Sequence, residues 1–448
     1  MTVIFRRKIY DKISEWKRQY DGKYALLIEG ARRVGKTTVV KQFAENEYRS
    51  HIIIDFSKVD IEVKDLFTHH AGDLDRFFLY LQQIYRTTIH ERESVIIFDE
   101  VQLFPPARQM IKHLVADGRY DYIETGSLLS IKQNVNDILI PSEEMSLDMH
   151  PMDFEEFLWA QDDHVTVPLL RKAFEERLPL GQSMHRRIMD LHNIYMLVGG
   201  MPQAVDAYIE KNNFDAVETV KRMILKLYAD DASKFLIDHG SKSKRILFMI
   251  PSFLSRQEKT FSPSRMRKGS KTREYFDSIT WLSESKMVNV CYRNSDPGPA
   301  LNLNLDEHTF KMYMADTGLL VTSSFDSNVG DRDEIYRSIL MNRMNLNKGM
   351  FFENMVAQTL VSTGHKLVFS KFSFEGSTNM QEVDFIIADG KNIIPIETKS
   401  GHSGRHVSLD RFMEKFSSRV KTAYVIHSKD LRADGKIVYI PIYMTMFL

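Results

Sequence analysis

One cysteine, Cys291, stands among 448 residues. Its isolation excludes an intrachain disulfide and a thiolate metal cluster, and it predicts a reducing compartment. Long apolar runs are also missing. Nowhere do about 18 apolar residues follow one another, the length a membrane-spanning helix needs. The opening residues Met1-Thr2-Val3-Ile4-Phe5-Arg6-Arg7 lack the apolar stretch of a secretion signal. Together these absences predict a cytoplasmic protein with no membrane partner. Neither sign of charge is in excess, since Lys+Arg and Asp+Glu both total 60. A nucleic-acid surface therefore has to be sought in where charges cluster. Repeats and low-complexity tracts are absent as well. With 43% hydrophobic against 27% charged residues, the chain reads as soluble and globular rather than disordered. Its length exceeds one ordinary core and predicts roughly two to four domains.

What is present begins with a helical pattern over residues 1–20, where Ile4, Ile9, Ile13 and Trp16 recur at helical spacing. Up to about residue 160, short apolar runs at 24–28, 52–56, 95–98 and 120–124 alternate with amphipathic stretches. Continuous apolar strands separated by helices predict a parallel sheet buried on both faces. Residues 161–240 read as helical, with a break at Gly199-Gly200-Met201-Pro202. Residues 241–325 turn basic, and from about 349 the pattern is helix, strand, turn, strand, helix, strand.

The segment Gly30-Ala31-Arg32-Arg33-Val34-Gly35-Lys36-Thr37 fits G-x-x-x-x-G-K-[ST], directly after an apolar strand and before a helix that opens at Thr38. Glycines let backbone N–H groups wrap phosphates, and the helix start adds its positive end. Lys36 is placed to reach the outer phosphates and Thr37 to ligate Mg²⁺. Val95-Ile96-Ile97-Phe98 ends in Asp99-Glu100. That pattern predicts Asp99 as the holder of Mg²⁺ and Glu100 as the residue that orients or deprotonates the attacking water. A further strand ends in Glu124-Thr125-Gly126-Ser127. Thr125 or Ser127 is the candidate to sense the γ-phosphate, with an ordinary strand-to-loop turn as the alternative. ATP and Mg²⁺ are thus the expected ligands.

Residues 24–160 resemble an AAA-type ATPase. The whole chain resembles a large, poorly characterised group of bacterial and archaeal P-loop ATPases with a nuclease-like C-terminal domain. The residues that carry the likeness are the P-loop through Thr38, Phe98-Asp99-Glu100, Thr125-Gly126-Ser127, the run from Pro151 to Leu158, and Gly199-Gly200-Met201-Pro202. Ala315-Asp316-Thr317-Gly318-Leu319-Leu320, Phe352-Glu353 and Glu382-Val383-Asp384-Phe385 follow in the group's order. This chain has Pro141-Ser142-Glu143-Glu144 where many members carry an arginine, so no arginine finger is assigned.

Lys242, Lys244, Arg245, Arg256, Lys259, Arg265, Arg267, Lys268, Lys271 and Arg273 are opposed in their own stretch only by Glu258. The element order there (helices near 246–254, 262–266 and 272–285, then strands near 288–292 and 310–314) suggests a winged helix, as the resemblance also implies. Lys268, Lys271 and Arg273 are the candidate phosphate contacts, which makes DNA a candidate partner. A winged helix used only to pack domains is the alternative.

Near the C-terminus, Glu353 sits in a helical run, Asp384 in an apolar strand at 383–387, and Glu397-Thr398-Lys399 ends the next strand. Side chains alternate along a strand, so Glu397 and Lys399 share a face. Two carboxylates and a lysine on one face are a pattern for Mg²⁺ and phosphodiester chemistry. The set resembles the PD-(D/E)XK nuclease core, with Asp384, Glu397 and Lys399 on its motif and Glu353 as an added acid. A hairpin flanked by surface ion pairs, or a nuclease-like fold that only binds, stays open beside it. The pairs His69-His70 and His402/His406 read as solvated.

The expected architecture is α/β: a P-loop NTPase parallel sheet at 1–160, a helical lid at 161–240, a winged-helix middle domain at 241–325, and a restriction-endonuclease-like α/β domain at 326–448. The expected activity is ATP hydrolysis coupled to DNA binding or processing. Its rival is a nucleotide-gated signalling or scaffold protein whose C-terminal domain binds a partner without cleaving nucleic acid.

Overall fold

The computed structural model describes residues 4–20, 22–126, 142–234, 240–325, 332–340, 348–374, 380–401 and 406–448. Ser127, Pro141 and His402 lie outside these residues. The chain divides into two compact units, Met1–His150 and Pro151–Leu448. Among the described residues no helix is long and apolar enough to cross a membrane.

The first unit is a five-stranded parallel sheet of β1 (Ala25–Glu29), β2 (Ser50–Asp55), β3 (Ser94–Asp99), β4 (Asp121–Gly126) and β5 (Glu144–Asp148), in the order β2-β3-β4-β1-β5. Every residue of β1, β3 and β4 is buried, which is why Ala25–Ile28 and Val95–Phe98 read as apolar runs, while β4 buries Asp121, Glu124 and Thr125 beside Tyr122 and Ile123. Leu27, Ile52, Ile96, Phe98, Phe67, Phe77, Ile111 and Leu114 share one core. Burying each such side chain contributes about 1.5–3 kcal/mol. The predicted first helix forms over Lys8–Tyr20 and buries Ile9, Ile13 and Trp16.

β5 lies outside the four predicted strands. It is an edge strand, Glu-Met-Ser-Leu-Asp, partly exposed along its length, and it pairs in parallel with β1. With one side open to solvent it needs no continuous apolar run, so the pattern that marked its neighbours is missing.

The second unit starts with helices Phe154–Trp159, Thr166–Glu176, Gln182–Val198, Pro202–Lys211 and Phe214–Lys234. Asp153 accepts from the Glu156 N–H at 2.9 Å, while the Glu156 carboxylate accepts from the Asp153 N–H at 3.2 Å. The acids of the run from Pro151 to Leu158 thus form a capping box that opens the first of these helices. Helices Gly240–Leu254 and Pro263–Met266 follow. The single helix expected at 272–285 is instead a 3₁₀ turn, Thr272–Tyr275, and a separate helix, Phe276–Glu284.

β6 (Val288–Asn294) and β7 (Leu305–Met314) form an antiparallel hairpin. β6 also pairs in parallel with β8 (Val368–Phe372), which pairs with β9 (Gln381–Val383), giving the order β7-β6-β8-β9. The hairpin of the basic region therefore shares a sheet with strands from the C-terminal region. The last sheet holds β10 (Phe385–Asp389), β11 (Asn392–Lys399), β12 (Ala423–His427), β13 (Arg432–Asp434) and β14 (Ile437–Pro441), in the order β10-β11-β12-β14-β13. Helix Lys348–Ser362, which precedes β8, carries Glu353, and helix Val407–Lys415 packs Leu409 and Phe412 into the core of this last sheet.

Candidate functional site

The P-loop leaves β1 at Gly30 and enters helix Lys36–Glu47. A Cβ on Gly30 would lie 2.4 Å from the Met149 carbonyl oxygen, so only glycine lets the loop pass this neighbour. Arg33 and Gly35 both take left-handed backbone, with φ of 68° and 100°. Such a conformation turns successive N–H groups toward one concavity, a shape suited to anions. Ala31 and Val34 are buried beneath the loop, Arg32 and Arg33 are exposed above it, and Thr38 lies exposed on the first turn of the helix. Lys36 is buried, and its ammonium donates to the carbonyls of Gly30 at 2.9 Å and Ala31 at 3.1 Å. Burial pulls the Lys36 amine below its ordinary value, opposed by the carboxylates of Glu100 and Asp99.

Asp99 ends β3, two strands from β1, with β4 between them. The Thr37 hydroxyl nevertheless donates to both Asp99 oxygens, at 2.9 and 3.0 Å. β4 fills the gap with Thr125, whose hydroxyl also bonds Asp99 Oδ1. The same Thr125 oxygen accepts from the Glu100 N–H at 3.3 Å. Burial pushes the Asp99 carboxyl above the usual carboxylate range, against the hydrogen bonds from Thr125 and Thr37. Glu100 adopts left-handed backbone, φ 54°, where the chain turns out of the sheet, and Gln102 bonds its carboxylate. Gln102 gave no sequence signal, because a glutamine two residues past paired acids belongs to no spacing rule. Hard oxygens on Thr37 and Asp99, beside a helix start and a buried lysine, are a donor set that fits Mg²⁺ and phosphate.

Residues 22–158 match the family profile of an AAA domain. This part of the chain is similar to AAA-type P-loop domains. Beyond it, residues 189–328 and 348–444 match two domains of unknown function, DUF8612 and DUF4143. No curated protein matches the chain. Among solved structures, the ORC1 protein of Aeropyrum pernix in complex with DNA is 12% identical, with 72% of this chain and 93% of that chain covered at a TM-score of 0.26. A Pyrococcus horikoshii signal transduction ATPase with numerous domains, carrying a tetratricopeptide repeat sensor, is 10% identical over 81% of this chain and 50% of that one, at a TM-score of 0.29.

Outside the AAA domain, the basic stretch divides by environment. Lys242 donates to the Glu274 carbonyl at 3.2 Å, Lys259 pairs with Glu353, and Arg265 lies over the Phe253 ring. Lys268, Lys271 and Arg273 are exposed, on the turns that lead into helix Phe276–Glu284. That helix itself carries Asp277 and Glu284 and no lysine or arginine. All three candidate cations, including Arg273 that was expected inside the third helix, therefore precede it.

The C-terminal acids do come together, with company the sequence did not announce. Asp384 falls between β9 and β10 rather than inside a strand, and its Oδ2 accepts from the Thr398 N–H at 2.8 Å and the Thr398 hydroxyl at 2.7 Å. Lys399 donates to Glu397 at 2.7 Å. Burial, with Asp384 nearby, pushes the Glu397 carboxyl up to about 8 despite Lys399. Glu353 is buried, which alone would raise it, but Lys311 and Lys259 bring it down to about 2. Lys311 is a residue that pattern-reading passed over. A lysine in the apolar run Phe310-Lys311-Met312-Tyr313 was the available signal.

Among the described residues, which exclude His402, no group of three or more His, Cys, Asp or Glu side chains is placed to hold a metal ion. His70 packs edge-on against Tyr80. His406, expected to be solvated, is partly buried, with Nε2 2.6 Å from the Tyr439 hydroxyl and Nδ1 2.9 Å from Asp410.

Proposed function

We propose that this protein is a magnesium-dependent ATP hydrolase whose nucleotide state is coupled to DNA binding. The observation that carries the reading is the Thr37–Asp99–Thr125 group beside the buried Lys36. The P-loop backbone and Lys36 bind the triphosphate, exchanging the Gly30 and Ala31 carbonyls for phosphate oxygens. Thr37 and Asp99 would hold Mg²⁺, which when bound offsets phosphate charge during transfer. Thr125 keeps the Asp99 carboxylate aimed at Thr37 and holds the backbone of Glu100. Glu100 orients the attacking water and takes its proton.

The DNA part of the proposal rests on the exposed Lys268, Lys271 and Arg273 within a helix–helix–helix–hairpin order suited to a winged helix. In the same reading the helices at 161–240 act as a lid, and residues 326–448 form a nuclease-like domain. A second reading, in which that last domain binds a partner without cutting, is favoured by the ammonium of Lys311 among the acids. ATP turnover with and without DNA tests the proposal. Lys36→Ala is expected to abolish nucleotide binding, and Glu100→Gln to keep binding while slowing turnover by about 10²–10⁴-fold. Unchanged turnover in Glu100→Gln would remove that residue from the mechanism.

A further inference from the structure

Lys311 sits on β7 with no exposed side-chain surface. Its ammonium lies 2.7 Å from Glu382, 3.3 Å from Glu353 and 3.8 Å from Asp384. These three acids come from β9, from the turn after it and from helix Lys348–Ser362. Around them several further oxygens are also engaged. Glu353 accepts from the Tyr313 hydroxyl at 2.5 Å and from Lys259. Asp384 accepts twice from Thr398, and Glu397 accepts from Lys399.

A magnesium site asks for near-octahedral oxygen donors that are free to face the ion. Here Glu397 Oε2 is buried without a partner, but it is a single oxygen. Any ion shared between Asp384 and Glu353 would compete for their oxygens with an ammonium already fixed by the fold. Electrostatics adds to the steric argument, because a buried lysine cannot turn aside into water as a surface lysine would. The residues present therefore do not fit a divalent cation while Lys311 stays in place.

We propose that Lys311 is the resident cation of the C-terminal acidic cluster, so that the cluster fastens the β6–β7 hairpin to the C-terminal sheets and recruits no divalent metal. The role of the four predicted residues then changes. Glu353 and Asp384 are anchors for an internal lysine, and Lys399 is held in a hydrogen bond to Glu397 rather than positioning water. A carboxylate set this enclosed, once paired, stabilises one arrangement of the two regions because each partner would be costly to bury alone.

The test is a Mn²⁺ titration of the full, nucleotide-free chain followed by electron paramagnetic resonance, in an Asp99→Asn background that removes the acid of the P-loop site. The expected result is no bound Mn²⁺ up to about millimolar concentration, and a single bound Mn²⁺ once Lys311→Met is added. Removing a unit charge at this range should tighten the ion by roughly a hundredfold or more. Binding of one Mn²⁺ with Lys311 intact, lost in Asp384→Asn, overturns the proposal. So does a folded Lys311→Met chain that binds none. Should Lys311→Met fail to fold, the arm with Lys311 intact still decides the matter.

Discussion

The carboxylate of Asp316 accepts the N–H of Gly200 at 2.6 Å across 116 residues of sequence. Its other oxygen accepts from Leu319 N–H at 2.8 Å and caps helix Thr317–Ser323. Gly318, two residues on, packs so closely on Gly199 that an added Cβ would lie 2.6 Å from the Gly199 Cα. The segments Gly199-Gly200-Met201-Pro202 and Ala315-Asp316-Thr317-Gly318 are therefore the two halves of one clamp. Asp316→Ala leaves two buried N–H groups without acceptors, which costs about 1–3 kcal/mol for each group. Gly318→Ala forces backbone apart. Both variants are expected to lower the urea midpoint of the second unit, and a midpoint equal to wild type would show that the clamp is not under load.

Thr125 offers a finer probe of the AAA domain than Lys36 or Glu100. Its hydroxyl donates to Asp99 and accepts from Glu100 N–H, so it touches both acids without being one. Thr125→Val keeps the shape and removes the donor. A hydrogen bond to a charged group contributes about 1.5–3 kcal/mol, so turnover should fall by roughly ten- to a hundredfold. Nucleotide affinity should change less, and Thr125→Ser should restore the rate. Equal rates in the valine and serine variants would exclude this role.

The parallel sheet was legible chiefly through β1 and β3, whose buried stretches Ala25–Ile28 and Val95–Phe98 are apolar, whereas β4 is equally buried but carries Asp121, Glu124 and Thr125. β5 was not legible, since an edge strand with alternating polar residues resembles a loop. The P-loop pattern is local, and local patterns survive in one sequence. The order that puts β4 between β1 and β3 is set by packing, so the bridging position of Thr125 was legible only as a strand end. Lys311 was the least legible residue of all. Its partners lie on β9, on the following turn and on a helix more than 30 residues away, and no spacing along the chain relates them. Its one clue was a charged residue where the strand's neighbours demanded apolar ones.

If the exposed cations of the basic stretch meet DNA, the salt dependence will report them. Each neutralised phosphate contributes about 0.9 to the slope of log affinity against log salt. Replacing Lys268, Lys271 and Arg273 by alanine should therefore flatten that slope by about 3 and weaken binding at low salt without regard to sequence. Fluorescence anisotropy with a labelled duplex at several salt concentrations measures this directly. A slope identical in the triple variant would move the DNA surface elsewhere.

His192 supplies the pH dependence. It lies on helix Gln182–Val198, fully enclosed against Phe154 and Tyr195, and its Nδ1 has no partner. Burial alone pulls its imidazole from 6.5 down to about 3. The folded chain therefore keeps this ring neutral where the unfolded chain would protonate it. Between those two values the unfolded state binds the extra proton, so stability is fully present above pH 6.5 and is lost as pH falls toward 3. The slope from this group is about 1.4 kcal/mol per pH unit well inside the window. His192→Phe preserves the aromatic contacts and has nothing to titrate. The difference in unfolding free energy between the two proteins should therefore grow, in favour of phenylalanine, as the solution is taken from pH 7 to pH 5. A difference that stays constant over that range would mean the native ring takes up its proton as readily as the unfolded one, which an apolar, enclosed site does not permit.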